Sequence, residues 1–168
     1  MTPTIEISDA RRSAADREWV RNVYPYYLHD LSEFDDGYYR LNERGLWEPD
    51  HLPDWLAEGP HQHALLIRAD GARAGFAFVG EAPFEHMTPG LDFRLCEFFV
   101  LRSLRGGVRR VRSLPRELGG GGDAPQRAGG RFWGRVIGEY TGGDFREEPG
   151  AGGFPRQVFR TCATFDQQ

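Results

Sequence analysis

Lysine is missing from this chain: all 21 of its basic side chains are arginine. Arginine, glycine, alanine and proline come from GC-rich codons, and 22 glycines and 11 prolines fit a GC-rich gene. Cysteine is scarce. Two residues, Cys96 and Cys162, do not make a disulfide framework, and Cys96, in an apolar stretch, reads as a small hydrophobe. No apolar run approaches the ~18 residues of a membrane span. The opening MTPTIEISDARRSAADREW is charged and lacks the apolar core of a secretory signal. The expectation is a cytoplasmic protein with no membrane partner. The net charge of −4 argues against general nucleic-acid binding. No metal ligand set is assigned. At 168 residues the chain is expected to form one domain over 1–168, burying ~70% of its unfolded surface.

Hydrophobic periodicity organises the chain. Ile5 to Ile7 alternates and reads as a first strand. Ser13 followed by Asp16 approximates a capping box, with Asp in place of the usual Glu. Trp19, Val20, Val23, Tyr24, Tyr27, Leu28 and Leu31 then fall on one helical face. Pro25 is expected to kink or split that helix, and Asp35-Asp36-Gly37 to end it. Asp50 to Glu58 reads as a second helix with Leu52, Trp55 and Leu56 on its apolar side. Ala64–Arg68 and Gly75–Val79 flank Asp70-Gly71 and read as a hairpin. Phe93–Leu101 reads as a central, buried strand. Helical spacing returns at Val108, Val111, Leu114 and Leu118, and again from Phe132 to Tyr140. Gln157–Thr164 reads as a last strand. The order β-α-α-β-β-β-α-(gap)-α-β is that of an α/β layer fold.

The stretch CEFFVLRSLRGGVRR, Cys96 to Arg110, carries the chemistry. An acid, Glu97, precedes a short apolar run that ends in a Gly/Arg turn and a helical pattern. Backbone N–H groups at such a turn, the helix dipole and charge-paired arginine donors suit an anion. The plain alternative is a buried strand followed by a flexible basic turn.

Three segments in order resemble the GNAT superfamily of acetyl-CoA-dependent N-acetyltransferases, and within it a bacterial branch of predicted acetyltransferases. They are Tyr27-Leu28-His29-Asp30-Leu31-Ser32-Glu33-Phe34, the EFFVLR strand Glu97–Arg102, and FWGRVIGEYTGGDF from Phe132 to Phe145. The resemblance implies a GNAT fold: a mixed, strongly twisted sheet flanked by helices and split to admit the cofactor. It implies acetyl transfer from acetyl-CoA to a primary amine of a small-molecule or protein acceptor. It also admits a homodimer.

By the same resemblance, Phe99, Val100 and Leu101 lend main-chain groups to the pantetheine arm. Arg102, Arg105, Gly106, Gly107, Val108 and Arg109 cover the pyrophosphate loop, with Arg109 standing where the family has Gly or Ala. Glu97 matches the acid that serves as base; the alternative is a salt bridge to an arginine. Trp133 stands where many members have a tyrosine acid, and an indole N–H donates without serving as a useful acid. Tyr140 is the nearest phenol in that helix. His29, Asp30 and Glu33 fall on the acceptor-side wall, or else on a solvated helix face. A remote alternative is nucleic-acid binding through Arg102, Arg105, Arg109, Arg110, Arg112 and Arg116.

Residues 119–130, GGGGDAPQRAGG, lie where a central strand should fall and read as a degraded segment. With GC-rich codons chosen for Glu117–Arg131, a one-base shift yields SWEVAVTPRNAPAA. That string contains the Trp-Glu-Val and Asn-Ala-Pro expected of the branch, at the right distance from Phe132-Trp133. The expectation is a frame disruption, which makes an inactive or destabilised GNAT-fold remnant the alternative function. The other reading of this stretch is a genuine glycine-rich loop.

Overall fold

The computed structural model describes residues 3–33, 37–84, 90–104, 138, 142–149 and 155–160. The chain divides into two compact units, Met1–Leu114 and Pro115–Gln168. The stretch 119–130 expected to be degraded, the helical pattern after Val108, that from Phe132 except Gly138, and the residues Cys162, Trp133 and Tyr140 lie outside the described residues.

In the first unit, strand β1 (Ile5–Asp9) leads through a short 3-10 turn (Ala10–Arg12) into helix α1 (Ala14–Ser32). Ser13 caps α1: its side chain accepts the Asp16 N–H at 3.3 Å, as the sequence pattern suggests. The other half of a capping box is absent. The Asp16 carboxylate accepts instead from Arg68 and Arg73, on the two central strands, at 2.8 Å each. Val20, Val23, Tyr24, Tyr27 and Leu28 form the buried stripe of α1. Pro25 does not split this helix. It lies on the exposed face, where water can satisfy the carbonyl it leaves unbonded. The helix stops at Ser32, earlier than Asp35-Asp36-Gly37.

A small ribbon follows, β2 (Arg40–Leu41) against β3 (Trp47–Glu48). Asn42 Oδ1 accepts the N–H groups of Arg44 and Leu46 at 3.0 Å each, and Gly45 takes φ +72°, which closes the loop. Helix α2 is short, Leu52–Leu56, and buries Leu52, Trp55 and Leu56. Pro53 suits its first turn.

Three long strands complete the unit: β4 (Gln62–Ala69), β5 (Ala72–Glu81) and β6 (Phe93–Val100). The sheet order is β1-β4-β5-β6, and every pairing is antiparallel. The mixed sheet of the expectation is therefore antiparallel among the described strands. The β4–β5 hairpin turns at Asp70-Gly71, both at positive φ (51° and 76°), as an Asp-Gly pair favours. Strand β6, expected to be central and buried, is the last in the described sheet; Glu97 and Phe99 are buried, while Arg94 and Leu95 are exposed.

Phe76 and Phe78 on β5 and Phe99 on β6 face α1 and α2. There they meet Tyr24, Tyr27 and Trp55 in one aromatic core. Phe76 and Phe78 stack with centroids 4.7 Å apart, and Tyr27 meets Phe76 edge-on at 5.5 Å. In the second unit, β7 (Phe145–Pro149) and β8 (Pro155–Phe159) pair antiparallel from Phe145↔Phe159 to Pro149↔Pro155. Of the strand expected over Gln157–Thr164, Gln157–Phe159 lie in β8 and residues 161–164 lie outside the described residues; β7 was not foreseen. Its sequence FREEP carries too little apolar alternation to announce a strand.

Candidate functional site

Strand β6 departs from regular pairing at one place. Phe78 lies opposite Glu97, whereas Val79 lies opposite Leu95, so Cys96 is the extra residue of a β-bulge. The bulge sets Glu97 and Phe99 inward on the helix-facing side of the sheet. Glu97 is 8% exposed, within the aromatic core.

Among the described residues Glu97 makes no ion pair; the arginines from Arg105 to Arg135 lie outside them. Its Oε1 accepts two neutral donors, Trp55 Nε1 at 3.0 Å and the Tyr24 hydroxyl at 3.3 Å. Its Oε2 is buried and has no hydrogen-bond partner among the described residues. A buried polar atom left in that state costs free energy on the order of 1–3 kcal/mol. Such an atom calls for an explanation, and a catalytic role is one.

Burial pushes the Glu97 carboxyl up to about 7. The Tyr24 and Trp55 hydrogen bonds oppose that rise, and the charge of Asp50 adds to it. Burial also raises Tyr24 and Tyr27 well above the ordinary phenol range, and the Glu97 charge pushes the same way. Both phenols therefore stay protonated while Glu97 titrates. Cys96 is half-buried and packs beside the core, as expected of a small hydrophobe, and burial raises its thiol.

Phe99 is buried beside Tyr27 at 6.2 Å, while Val100 and Leu101 are half-buried. The Leu101 N–H donates to the Ala74 carbonyl at 2.9 Å and extends the β5–β6 contact past the end of β6. Arg102 follows on the surface and donates to Asp30 Oδ1 at 2.6 Å. This ion pair joins a residue expected on the cofactor side to one expected on the acceptor side. His29 is exposed and meets Trp47 edge-on at 6.4 Å, and Glu33 is exposed at the end of α1. The pyrophosphate loop expected at Arg105, Gly106, Gly107, Val108 and Arg109 lies outside the described residues.

Tyr24, Trp55 and Asp50 are the residues that sequence reasoning missed as partners of Glu97. Tyr24 and Trp55 were assigned only to apolar helix faces. The available signal was chemical: a buried phenol and a buried indole each need an acceptor.

Among the described residues, no group of three or more His, Cys, Asp or Glu is placed to hold a metal ion. Among the same residues, no helix is long and apolar enough to cross a membrane. No family model, curated protein or solved structure matches this chain.

Proposed function

We propose that this chain is an N-acetyltransferase that moves the acetyl group of acetyl-CoA to a primary amine, with Glu97 as the base. The observation that carries the reading is the carboxyl of Glu97: buried, pushed up to about 7 by that burial, and, among the described residues, without an ion pair and without a hydrogen bond to Oε2. A general base works best when its pKa lies near the operating pH. The resemblance of the EFFVLR strand to GNAT enzymes supplies the reaction; the geometry supplies a suitable proton acceptor.

In the proposed step, the neutral amine nitrogen attacks the thioester carbonyl carbon. A C–N bond forms and the C–S bond breaks. The surplus amine proton passes to Glu97 Oε2, directly or through one water. The sulfur leaves as the CoA thiolate and takes its proton from solvent. Trp55 and Tyr24 hold Oε1 and so orient the carboxylate. Phe99, Val100 and Leu101 are the proposed pantetheine strand, with Arg102 and Arg105–Arg109 toward the pyrophosphate.

The test is release of CoA thiol from acetyl-CoA in the presence of an amine panel, with Glu97→Gln beside the wild type. Losing the base should lower kcat/KM by about 100-fold or more. Calorimetry with CoA separates the competing reading. A frame-disrupted remnant would neither bind CoA nor release thiol.

A further inference from the structure

The first strand is an edge. In the order β1-β4-β5-β6, β1 pairs with β4 on one side, and no other strand among the described residues pairs with it. Two contacts just before it fix the direction of its backbone groups. The Asp70 N–H donates to the Thr4 carbonyl at 2.9 Å, and the Thr4 N–H donates to Asp70 Oδ1 at 2.9 Å. Thr4 therefore turns both of its backbone groups toward the β4–β5 hairpin. Direction alternates along an antiparallel ladder, so Glu6 and Ser8, opposite Arg68 and Leu66, bond to β4. Ile5 and Ile7 turn their N–H and C=O groups outward.

The same two side chains are exposed, Ile5 at 55% and Ile7 at 62%, within a strand of five residues. They lie on the sheet face opposite the helices, since Ile7 pairs with Ile67 whereas Ser8 pairs with Leu66 of the core. Free edges are commonly blunted by lysine, proline or a bulge, and Ile5–Asp9 has none of these. Its charges are Glu6 and Asp9, and Asp9 is held by Arg11 at 2.7 Å.

We propose that β1 is a self-association edge: two copies of this chain join β1 to β1, antiparallel, across a two-fold axis at Ile7. The two four-stranded sheets then run into one another. Hydrogen bonding and charge select a second copy in this register. Outward groups must meet outward groups, so the axis passes through a residue and not between two. An axis at Glu6 sets two glutamates directly opposite, which is destabilising. An axis at Ile5 sets Ile7 opposite Pro3, which has no N–H to donate. An axis at Ser8 carries Ile5 past the strand to Arg11, in the 3-10 turn. An axis at Ile7 sets Ile7 opposite Ile7, Glu6 opposite Ser8 and Ile5 opposite Asp9, so no like charges are directly opposed. The two Ile7 residues exchange a pair of N–H···O=C bonds, and each Ile5 carbonyl accepts from an Asp9 N–H. The contact is small, so the dimer belongs to the weak, concentration-dependent class. It needs none of the chemistry at Glu97.

The experiment begins with sedimentation velocity of the full chain over roughly a hundredfold range of concentration, for the wild type and Ile7→Lys. Ile7 is exposed, so the fold should persist, which circular dichroism checks. Expected is a monomer–dimer equilibrium whose dissociation constant rises about tenfold in Ile7→Lys, where two ammonium groups meet at the axis. Disulfide trapping then reads the register. Across a hydrogen-bonded antiparallel pair the Cα atoms lie about 5.5 Å apart, within reach of a disulfide. Oxidised Ile7→Cys should give a covalent dimer bridged at position 7, with peptide masses distinguishing it from bridges at Cys96 or Cys162. Ile5→Cys should not bridge, because an axis at Ile7 holds its two copies roughly 13 Å apart.

A wild type that stays monomeric throughout would overturn the proposal. So would a dimer that Ile7→Lys leaves equally strong, a failure to bridge at position 7, or a bridge at position 5 in its place. Open-ended oligomers would also reject it, because a two-fold axis closes after two copies.

Discussion

The Trp55 indole N–H donates to Glu97 Oε1 at 3.0 Å and joins two side chains 42 residues apart in sequence. The indole ring is stacked on Phe78 at 5.2 Å and on Phe84 at 5.5 Å, which fixes the direction of that N–H. The bond favours the charged carboxylate and so opposes the rise that burial causes. In Trp55→Phe an aromatic ring remains and the donor is lost. The Glu97 titration should then move upward by about half to one pK unit. Carbon-detected NMR of the labelled carboxyl group reads this directly, and the pH profile of the proposed acetyl transfer should move with it. An unmoved titration would show that the indole contributes packing alone.

Glu97 also ties stability to pH. Its folded pKa, about 7, exceeds the ordinary 4.5, so between those values the native state holds the proton more tightly than the unfolded chain. Stability from this group is fully present below about pH 4.5 and is lost as pH rises to about 7. The full swing is about 3 kcal/mol. The proposed acetyl transfer should run the other way and rise through pH 7 as Glu97 ionises. Urea unfolding at pH 5 and pH 8 should show the wild type losing stability relative to Glu97→Gln across that interval. A constant difference between the two proteins would mean that Glu97 titrates normally.

The local parts of this fold were legible and the long-range contacts were not. Asp70-Gly71 announces its hairpin because two adjacent positive-φ residues suit few other pairs. Ser13 announces the start of α1 because a cap is a contact within three residues. The β2–β3 ribbon has two residues on each side, too few to show a period. Glu97 stood out as an acid before an apolar run, but its partners lie 42 and 73 residues away and bear aromatic side chains that match the core pattern equally well. Asp16 misled for a related reason. Its spacing from Ser13 matched a cap, while its carboxylate met arginines more than fifty residues downstream.

Asp16 answers pH in the opposite sense to Glu97. Burial would raise its carboxyl, but the hydrogen bonds and charges of Arg68 and Arg73 outweigh burial and hold it below the usual range. Its contribution is present above the unfolded carboxyl pKa and is lost as pH falls through the lower folded value. Asp16→Ala leaves two arginines facing each other across the start of α1. It should destabilise the chain by about 3 kcal/mol near neutrality. The penalty should shrink at acid pH, where wild-type Asp16 is protonated too. Chemical unfolding at pH 7 and pH 3 measures both effects.

Gly75 connects backbone packing to the site. It lies opposite Val100, and a Cβ added there would overlap the Phe99 carbonyl oxygen, a backbone atom that cannot rotate away. Gly75→Ala must therefore push β6 off β5 in the segment that carries Phe99 and Glu97. Overpacking of this kind costs about 1–3 kcal/mol. The damage should extend to the site, because displacement of β6 pulls Glu97 away from donors that already stand at 3.0 and 3.3 Å. The expected result is a lower melting temperature together with an altered Glu97 titration. An alanine variant that melts lower while Glu97 titrates as in the wild type would show that β6 yields at Phe99 without carrying Glu97 along.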